Sequence, residues 1–338
     1  MRIALLGAGR IGLLHARLVA AQPGVEELVV ADPDASRAAE AARAVGGRVA
    51  ATPEAALGGA DAVIVAASTN AHAELVERAV GHGLPVFCEK PLAFDLATTI
   101  ALVERIEAAG ATVQVGFQRR FDAGYGAARR LVETGELGTL YLVRLVAHDH
   151  EPPPDAYIPV SGGLFADSSI HDFDALRWVT GREVDELYAA GSVRGFPVFA
   201  RHADIDTGAA ILRLDDGTLG VLSQTRHDPR GYDIRMELVG SRDAVAVGLG
   251  ARTPLRSLEP DAPALPGPAW TTFLTRFEDA YRAELLAFLR VARGELASPC
   301  TARDALEAMR ISVAAGLSRT AGRPVRMAEV PGAAAPAR

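Results

Sequence analysis

A chain of 338 residues, 49% hydrophobic and 23% charged, is long enough for two domains with substantial cores. Its net charge of −7 and lack of any long basic run exclude nucleic acid as an expected partner, and without an apolar run of about 18 residues no membrane span is expected. Two cysteines, Cys88 and Cys300, are too few for a disulfide framework and suit a reducing cytoplasm.

The first 120 residues alternate short apolar runs with Ala-rich helical patterns. Strands are expected at Arg2–Leu6, Glu27–Ala31, Ala62–Ala66, Val86–Cys88 and Thr112–Val115. Helices are expected at Ile11–Ala21, Ala35–Val45, Ala71–Gly81 and Leu96–Ala109. Continuous apolar strands alternating with helices predict a doubly wound parallel sheet, covered on both faces, over residues 1–120. The pattern then changes. A helix is expected over Asp122–Thr134 and a long strand over Thr139–His148, followed by a Pro-rich loop and a helix over Phe165–Val179. Strands near 184–194, 205–214, 218–226, 232–239 and 243–247, with turns such as Asp216-Gly217, predict a mostly antiparallel open sheet. Helices near 270–293 and 302–320 close an α+β domain of 121–331, and 332–338 reads as a flexible tail.

"GAGRIG" places Gly7, Gly9 and Gly12 in dinucleotide-fingerprint spacing between a strand and a helix. Gly7 permits the tight turn, Gly9 lets the backbone approach a pyrophosphate, and Gly12 lets the helix pack closely on the sheet. "ELVVADPD" ends the next strand with Asp32, 25 residues after Gly7. A carboxylate there accepts from adenosine ribose hydroxyls and repels a 2′-phosphate, which favours NAD over NADP; Arg37, a turn further on, softens that discrimination. The competing reading has Asp32 or Asp34 merely capping the next helix. "AASTNAH" puts Ser68, Thr69 and Asn70 at another strand's carboxyl end, where open α/β sheets carry ligands, although Ser68 or Asn70 also suits a helix cap.

Lys90, in "VFCEKPL", is the only lysine; the other 34 of the 35 basic residues are arginine. It follows a strand, so it lies at the same carboxyl edge. Arginine is never deprotonated, whereas lysine is a compact donor with an adjustable pKa. Chemistry that arginine cannot perform explains the exception; compositional chance is the alternative. In "GGLFADSSIHDFDALRW", Asp167, His171 and Asp174 lie at i, i+4 and i+7, one face of a helix. An Asp one turn before a His orients the imidazole and raises its basicity, as a general base near neutral pH requires. A helix cap with a buried histidine is the structural alternative. His148 and His150 alternate on a strand and suit polar substrate contacts better than a metal; no His-x-x-x-His or Cys/His cluster is present, and no metal is expected.

These stretches, with "ASTNAHAELVERAV", "CEKPL" and "VGFQRRFD", occur in one order over nearly the whole chain, and as a set they resemble the glucose–fructose oxidoreductase / inositol dehydrogenase family, most closely its inositol 2-dehydrogenase branch. The resemblance implies a Rossmann domain, a mostly antiparallel second domain, and NAD(P)-dependent hydride transfer at a sugar or cyclitol hydroxyl. It implies a cofactor site of Gly7, Gly9, Arg10, Ile11, Gly12, Asp32, Arg37, Ser68, Thr69, Asn70, His72, Glu89, Lys90 and Gln118. Lys90 would contact the reacting hydroxyl, Asp167 and His171 would form the acid–base pair, and His148, His150, Asp174 and Tyr232 would hold substrate. Inositol dehydrogenases tend to carry Asn where His150 stands, so the resemblance does not by itself extend to myo-inositol as the substrate. Relatives form tetramers or dimers through the sheet of the second domain. The same scaffold also supports NAD-dependent glycoside hydrolysis, and a non-catalytic NAD-binding regulator is the remaining alternative.

Overall fold

The computed structural model describes residues 1–262 and 267–332; residues 333–338 of the expected tail lie outside them. The chain forms two compact units, one of Met1–Phe121 with Asp279–Glu307, the other of Asp122–Glu278 with the residues from Ala308 onward.

The first unit runs β1 (Arg2–Leu6), α1 (Arg10–Ala20), β2 (Glu27–Ala31), α2 (Ala35–Val45), β3 (Arg48–Val49), α3 (Pro53–Leu57), β4 (Ala62–Val65), α4 (Thr69–Gly81), β5 (Val86–Glu89), α5 (Leu96–Ala108) and β6 (Val113–Gly116). Its sheet has the order β3-β2-β1-β4-β5-β6, and every pairing is parallel. β4 and β5 are buried at every residue, as strands covered on both faces must be, which is why they read as unbroken apolar runs. Strand β3 and helix α3 escape the periodicity argument. β3 has two exposed residues, too few to show alternation, and α3 is a single turn and a half started by Thr52 as cap and Pro53 at its first position.

The second unit runs α6 (Ala123–Glu133), β7 (Leu140–His148), α7 (Leu164–Asp167), α8 (Ile170–Thr180), β8 (Val184–Ser192), α9 (Val198–Arg201), β9 (Thr207–Leu214), β10 (Leu219–Thr225), β11 (Asp233–Gly240), β12 (Ala244–Val247) and α10 (Phe273–Arg276). Its sheet order is β12-β11-β7-β10-β9-β8-β13, with β13 at Val325–Arg326. Only β7 and β10 pair in parallel; the other pairings are antiparallel. On one face Gly208 and Gly220 lie against Leu164, Phe165 and Leu176 of α7 and α8. On the other face Tyr188, Ile211 and Val221 stand in one register row and remain exposed.

Two boundaries differ from expectation. The helix expected over 270–293 divides at Phe277 into α10 and α11 (Glu278–Ala292), because Phe277 leaves helical geometry with its ring buried. Residues 279–307, expected in the second domain, belong to the first unit. There the Phe288 ring packs on Phe87 (5.7 Å), Gln114 donates to the Glu284 carbonyl (3.1 Å), and Asp304 pairs with buried Arg120 (3.2 Å). Hydrophobic periodicity locates a helix but not the sheet that it returns to cover. The last helix, α12 (Ala302–Ala321), gives its start to the first unit and the remainder to the second.

Candidate active site and cofactor cradle

Strand order reverses between β1 and β4, so the turns after them flank the position where open α/β sheets bind ligands. The glycines there divide their tasks as the fingerprint requires. Gly7 has φ +102°, and a Cβ on it would come 2.4 Å from the Ala67 nitrogen, so the β1 and β4 turns approach only because it is glycine. A Cβ on Gly12 would lie 2.1 Å from the Gly7 carbonyl oxygen; a Cβ on Gly9 would meet nothing within 4 Å. Gly7 and Gly12 are thus fixed by the protein, whereas Gly9 opens onto space that a pyrophosphate can fill. The helices concur. Asp34, Thr52 and Asp95 cap α2, α3 and α5 with side-chain bonds, but α1, behind Gly9, and α4, behind Ser68, carry no such bond. Their first-turn N–H groups stay directed at the switch point, as anion binding needs.

Asp32 is not a helix cap; Asp34 does that work, accepting from the Ser36 and Arg37 nitrogens (2.9 and 3.3 Å). Asp32 instead accepts from Ala8 N (2.7 Å) and Asp34 N (2.8 Å), which ties the end of β2 to the glycine loop. Its half-buried carboxylate keeps acceptor capacity for ribose hydroxyls. Arg37 pairs with Asp34 at 3.0 Å and is largely exposed. Exposed Arg10 opens α1, followed by Ile11, and Ser68 and Asn70 are exposed beside Thr69 at the start of α4. Gln118 is buried in a 3-10 turn, and its amide oxygen has no partner among the described residues.

Lys90 leaves the carboxyl end of β5, one strand beyond the switch point, and its bond to Pro91 is cis. Two expected cofactor contacts turn out to support this segment from within. Glu89 is 8% exposed; it meets the His15 ring at 2.6 Å and accepts from Lys90 N at 3.3 Å. His72 is 1% exposed, with Nδ1 2.8 Å from the Pro91 carbonyl and Nε2 3.1 Å from that of Ala67. Burial lowers its pKa, the carbonyl contacts notwithstanding, and the ring sits between the Ala67 carbonyl of the β4–α4 turn and the Pro91 carbonyl, the nearer of the two. Both side chains thus brace the Lys90–Pro91 segment within the first unit. His15, which joins α1 to Glu89, went unrecognised; its only sequence signal is a histidine among the apolar positions of α1.

In the second unit, the single helix expected over Phe165–Val179 is two. Asp167 ends α7 and His171 is the second residue of α8, so the one-helix spacing does not relate them. Gln224 of β10 accounts for the break: its amide bonds the hydroxyls of both Ser168 (2.6 Å) and Ser169 (3.0 Å). Ser169 N reaches back five residues to the Leu164 carbonyl, and helical register slips there. Asp167, 7% exposed, accepts from the Tyr157 hydroxyl at 2.9 Å and faces Arg226 Nη1 at 3.0 Å. His171 is half-buried, and Asp174, three residues on, is fully buried. Tyr157, Arg226 and Gln224 were missed. Positions 220, 222 and 224 of β10 face inward, so a Gln and then an Arg at 224 and 226 break an apolar alternation that the sequence does display.

His148 and His150 converge on the Asp228 turn: His148 Nδ1 lies 3.6 Å from the Asp228 carboxylate and His150 Nδ1 3.1 Å from its carbonyl. His148, Asp228 and Asp233 bring ligand-type atoms within 4.8 Å of one another. Arg235 already donates to both oxygens of Asp233 (2.8 and 2.9 Å), and Ser223 meets His148 Nε2 at 2.9 Å, so two of the three groups already have protein partners. Tyr232, next to Asp233, is 9% exposed.

A doubly wound sheet with an open glycine cradle and two uncapped helix N-termini defines a dinucleotide-binding protein. Residues 1–117 match the oxidoreductase family with NAD-binding Rossmann fold, and residues 125–246 match the GFO/IDH/MocA C-terminal domain. The chain belongs to this GFO/IDH/MocA family and is an NAD-binding oxidoreductase. It is 42% identical over 330 residues to the myo-inositol dehydrogenase Hyg17 of Streptomyces leeuwenhoekii, covering 95% of this chain and 98% of the relative. Among solved structures, the myo-inositol dehydrogenase of Corynebacterium glutamicum superposes with a TM-score of 0.89 at 34% identity, covering 96% of this chain and 98% of that one. The scyllo-inositol dehydrogenase of Lactobacillus casei, solved with bound NAD(H) and scyllo-inositol, gives 0.86 at 27% identity, covering 97% and 99%.

Proposed function

We propose that this protein is an NAD-dependent dehydrogenase of an inositol or a closely related cyclitol or sugar, with hydride passing between a secondary hydroxyl carbon and the nicotinamide. The observation that carries the reading is the chain's one lysine, half-buried at the carboxyl end of β5 beside the open glycine cradle. The names of its relatives supply the substrate class. Gly7, Gly9 and Gly12 with the starts of α1 and α4 hold the pyrophosphate, and Asp32 holds the adenosine ribose. NAD supplies the hydride acceptor.

On the protein side, Lys90 donates to the alkoxide that develops as hydride leaves, where a fixed positive donor is worth most. His171 takes the hydroxyl proton, with Asp167 as its anionic partner. Asp174, His148, His150 and Tyr232 contact the remaining hydroxyls. The exposed row Tyr188, Ile211 and Val221 suits the assembly of copies through the second unit's sheet, as a dimer or tetramer. Two buried free cysteines suit the cytoplasm, and among the described residues no helix is long and apolar enough to cross a membrane.

The test is accumulation of NADH from NAD with a panel of inositols, hexoses and uronic acids. Net NADH with a free polyol supports the dehydrogenase. Glycoside cleavage without net NADH would assign the hydrolytic alternative, and NAD binding without turnover the regulatory one. Replacing His171 by Ala should flatten the neutral limb of the pH–rate profile; an unchanged limb moves the base elsewhere.

A further inference from the structure

Arg226 is buried just beyond β10, and its side chain is 4% exposed. Its Nη1 lies 3.0 Å from Asp167 and 3.5 Å from Asp149. Its Nε and Nη2 are buried with no hydrogen-bond partner among the described residues. A guanidinium in that state is not retained by a full set of hydrogen bonds, and desolvating it is costly. What holds it is charge. Burial would lower its pKa, but Asp167, Asp149 and Asp204 outweigh that and raise it above the ordinary value.

The geometry points to Arg226 as the positioning residue that keeps Asp167 an anion throughout the reaction, so that the Asp167–His171 pair carries one titrating proton, on His171. This inference rests on the proposed roles of Asp167 and His171 and deepens them. The groups around Asp167 are consistent with it. Tyr157 donates to one carboxylate oxygen and Arg226 faces the other; Asp149 and Asp204 share the guanidinium, and His171 follows on α8. Tyr157 and Arg226 favour the charged form of Asp167, and the two other carboxylates oppose it. Without Arg226, Asp167 would lose the cation 3.0 Å from it while Asp149 stays, and its affinity for a proton would rise.

The test is the pH dependence of kcat/KM for polyol oxidation in the whole enzyme. Loss of a charge at this range shifts a pKa by about one unit or more. Arg226→Gln should therefore move the acid limb about one unit toward higher pH and steepen it from one proton to two. Arg226→Lys, which keeps the charge, should restore the position and single-proton slope of the limb. NADH binding followed by fluorescence should match the wild type in both variants. A limb unmoved in Arg226→Gln, in an enzyme that Asp167→Asn inactivates, overturns the inference and leaves the acid–base pair standing. Full turnover in Asp167→Asn overturns the pair itself. If Arg226→Gln does not fold, Asp149→Asn decides by sign: removal of a competing anion should move the limb toward lower pH, and no shift or an upward one overturns the inference.

Discussion

The two units prepare their sites in opposite ways. In the first, the backbone does most of the shaping: three glycines set how closely turns approach, and two helices leave their first N–H groups free. In the second, side chains do it. Gln224 breaks a helix by binding two serines, and Arg226 gathers carboxylates around one guanidinium. Backbone cradles suit a pyrophosphate, which presents charge and little shape. Side-chain networks suit the removal of one proton from one hydroxyl, where the charge of each neighbour counts.

The sharpest break in that comparison falls on Lys90, the side chain in the first unit that backbone cannot replace. Lys90→Arg keeps the charge and loses the compact donor, so kcat should fall by about 10²–10³-fold while NADH titration by fluorescence gives an unchanged affinity. Next come the glycines. Gly12→Ala drives a Cβ to 2.1 Å from a carbonyl oxygen, and overpacking of this kind costs about 1–3 kcal/mol, measurable as a lower Tm. Gly9→Ala meets no protein atom, so its Tm should hold while KM for NAD rises severalfold; a Tm loss equal to that of Gly12→Ala would remove the distinction between the two positions.

The smallest effect concerns His72. Its pKa is lowered in the folded state, so the unfolded chain takes up a proton below about pH 6.5 that the folded one refuses. Its contribution to stability is present above that pH and is lost as pH falls toward the lowered folded value. A His72→Gln variant should show a shallower decline of Tm with acidification over that window than the wild type.

The same contrast explains what could be read from the sequence. The parallel sheet, the glycine fingerprint and the lone lysine were legible because each is local: a strand, a spacing, a single residue type. The helix expected over Phe165–Val179 failed because its interruption comes from Gln224, 55 residues away. Glu89 and His72 stand in motif positions, but their bracing of the Lys90 segment is not legible there, because their partners, His15 and the Pro91 carbonyl, lie on other elements. Arg226 was passed over for the same reason. Its inward position is visible in the alternation of β10, but its carboxylates follow β7 and close α7, and only strand register brings them together.

The central claim is that this chain oxidises a cyclitol with NAD. The direct measurement is steady-state NADH formation from NAD and each inositol isomer by the purified protein, beside its Lys90→Arg variant. The account predicts NADH with at least one inositol in the wild type and a loss of about 100-fold or more in the variant. No NADH with any cyclitol or sugar, or a variant that matches the wild type, would contradict it.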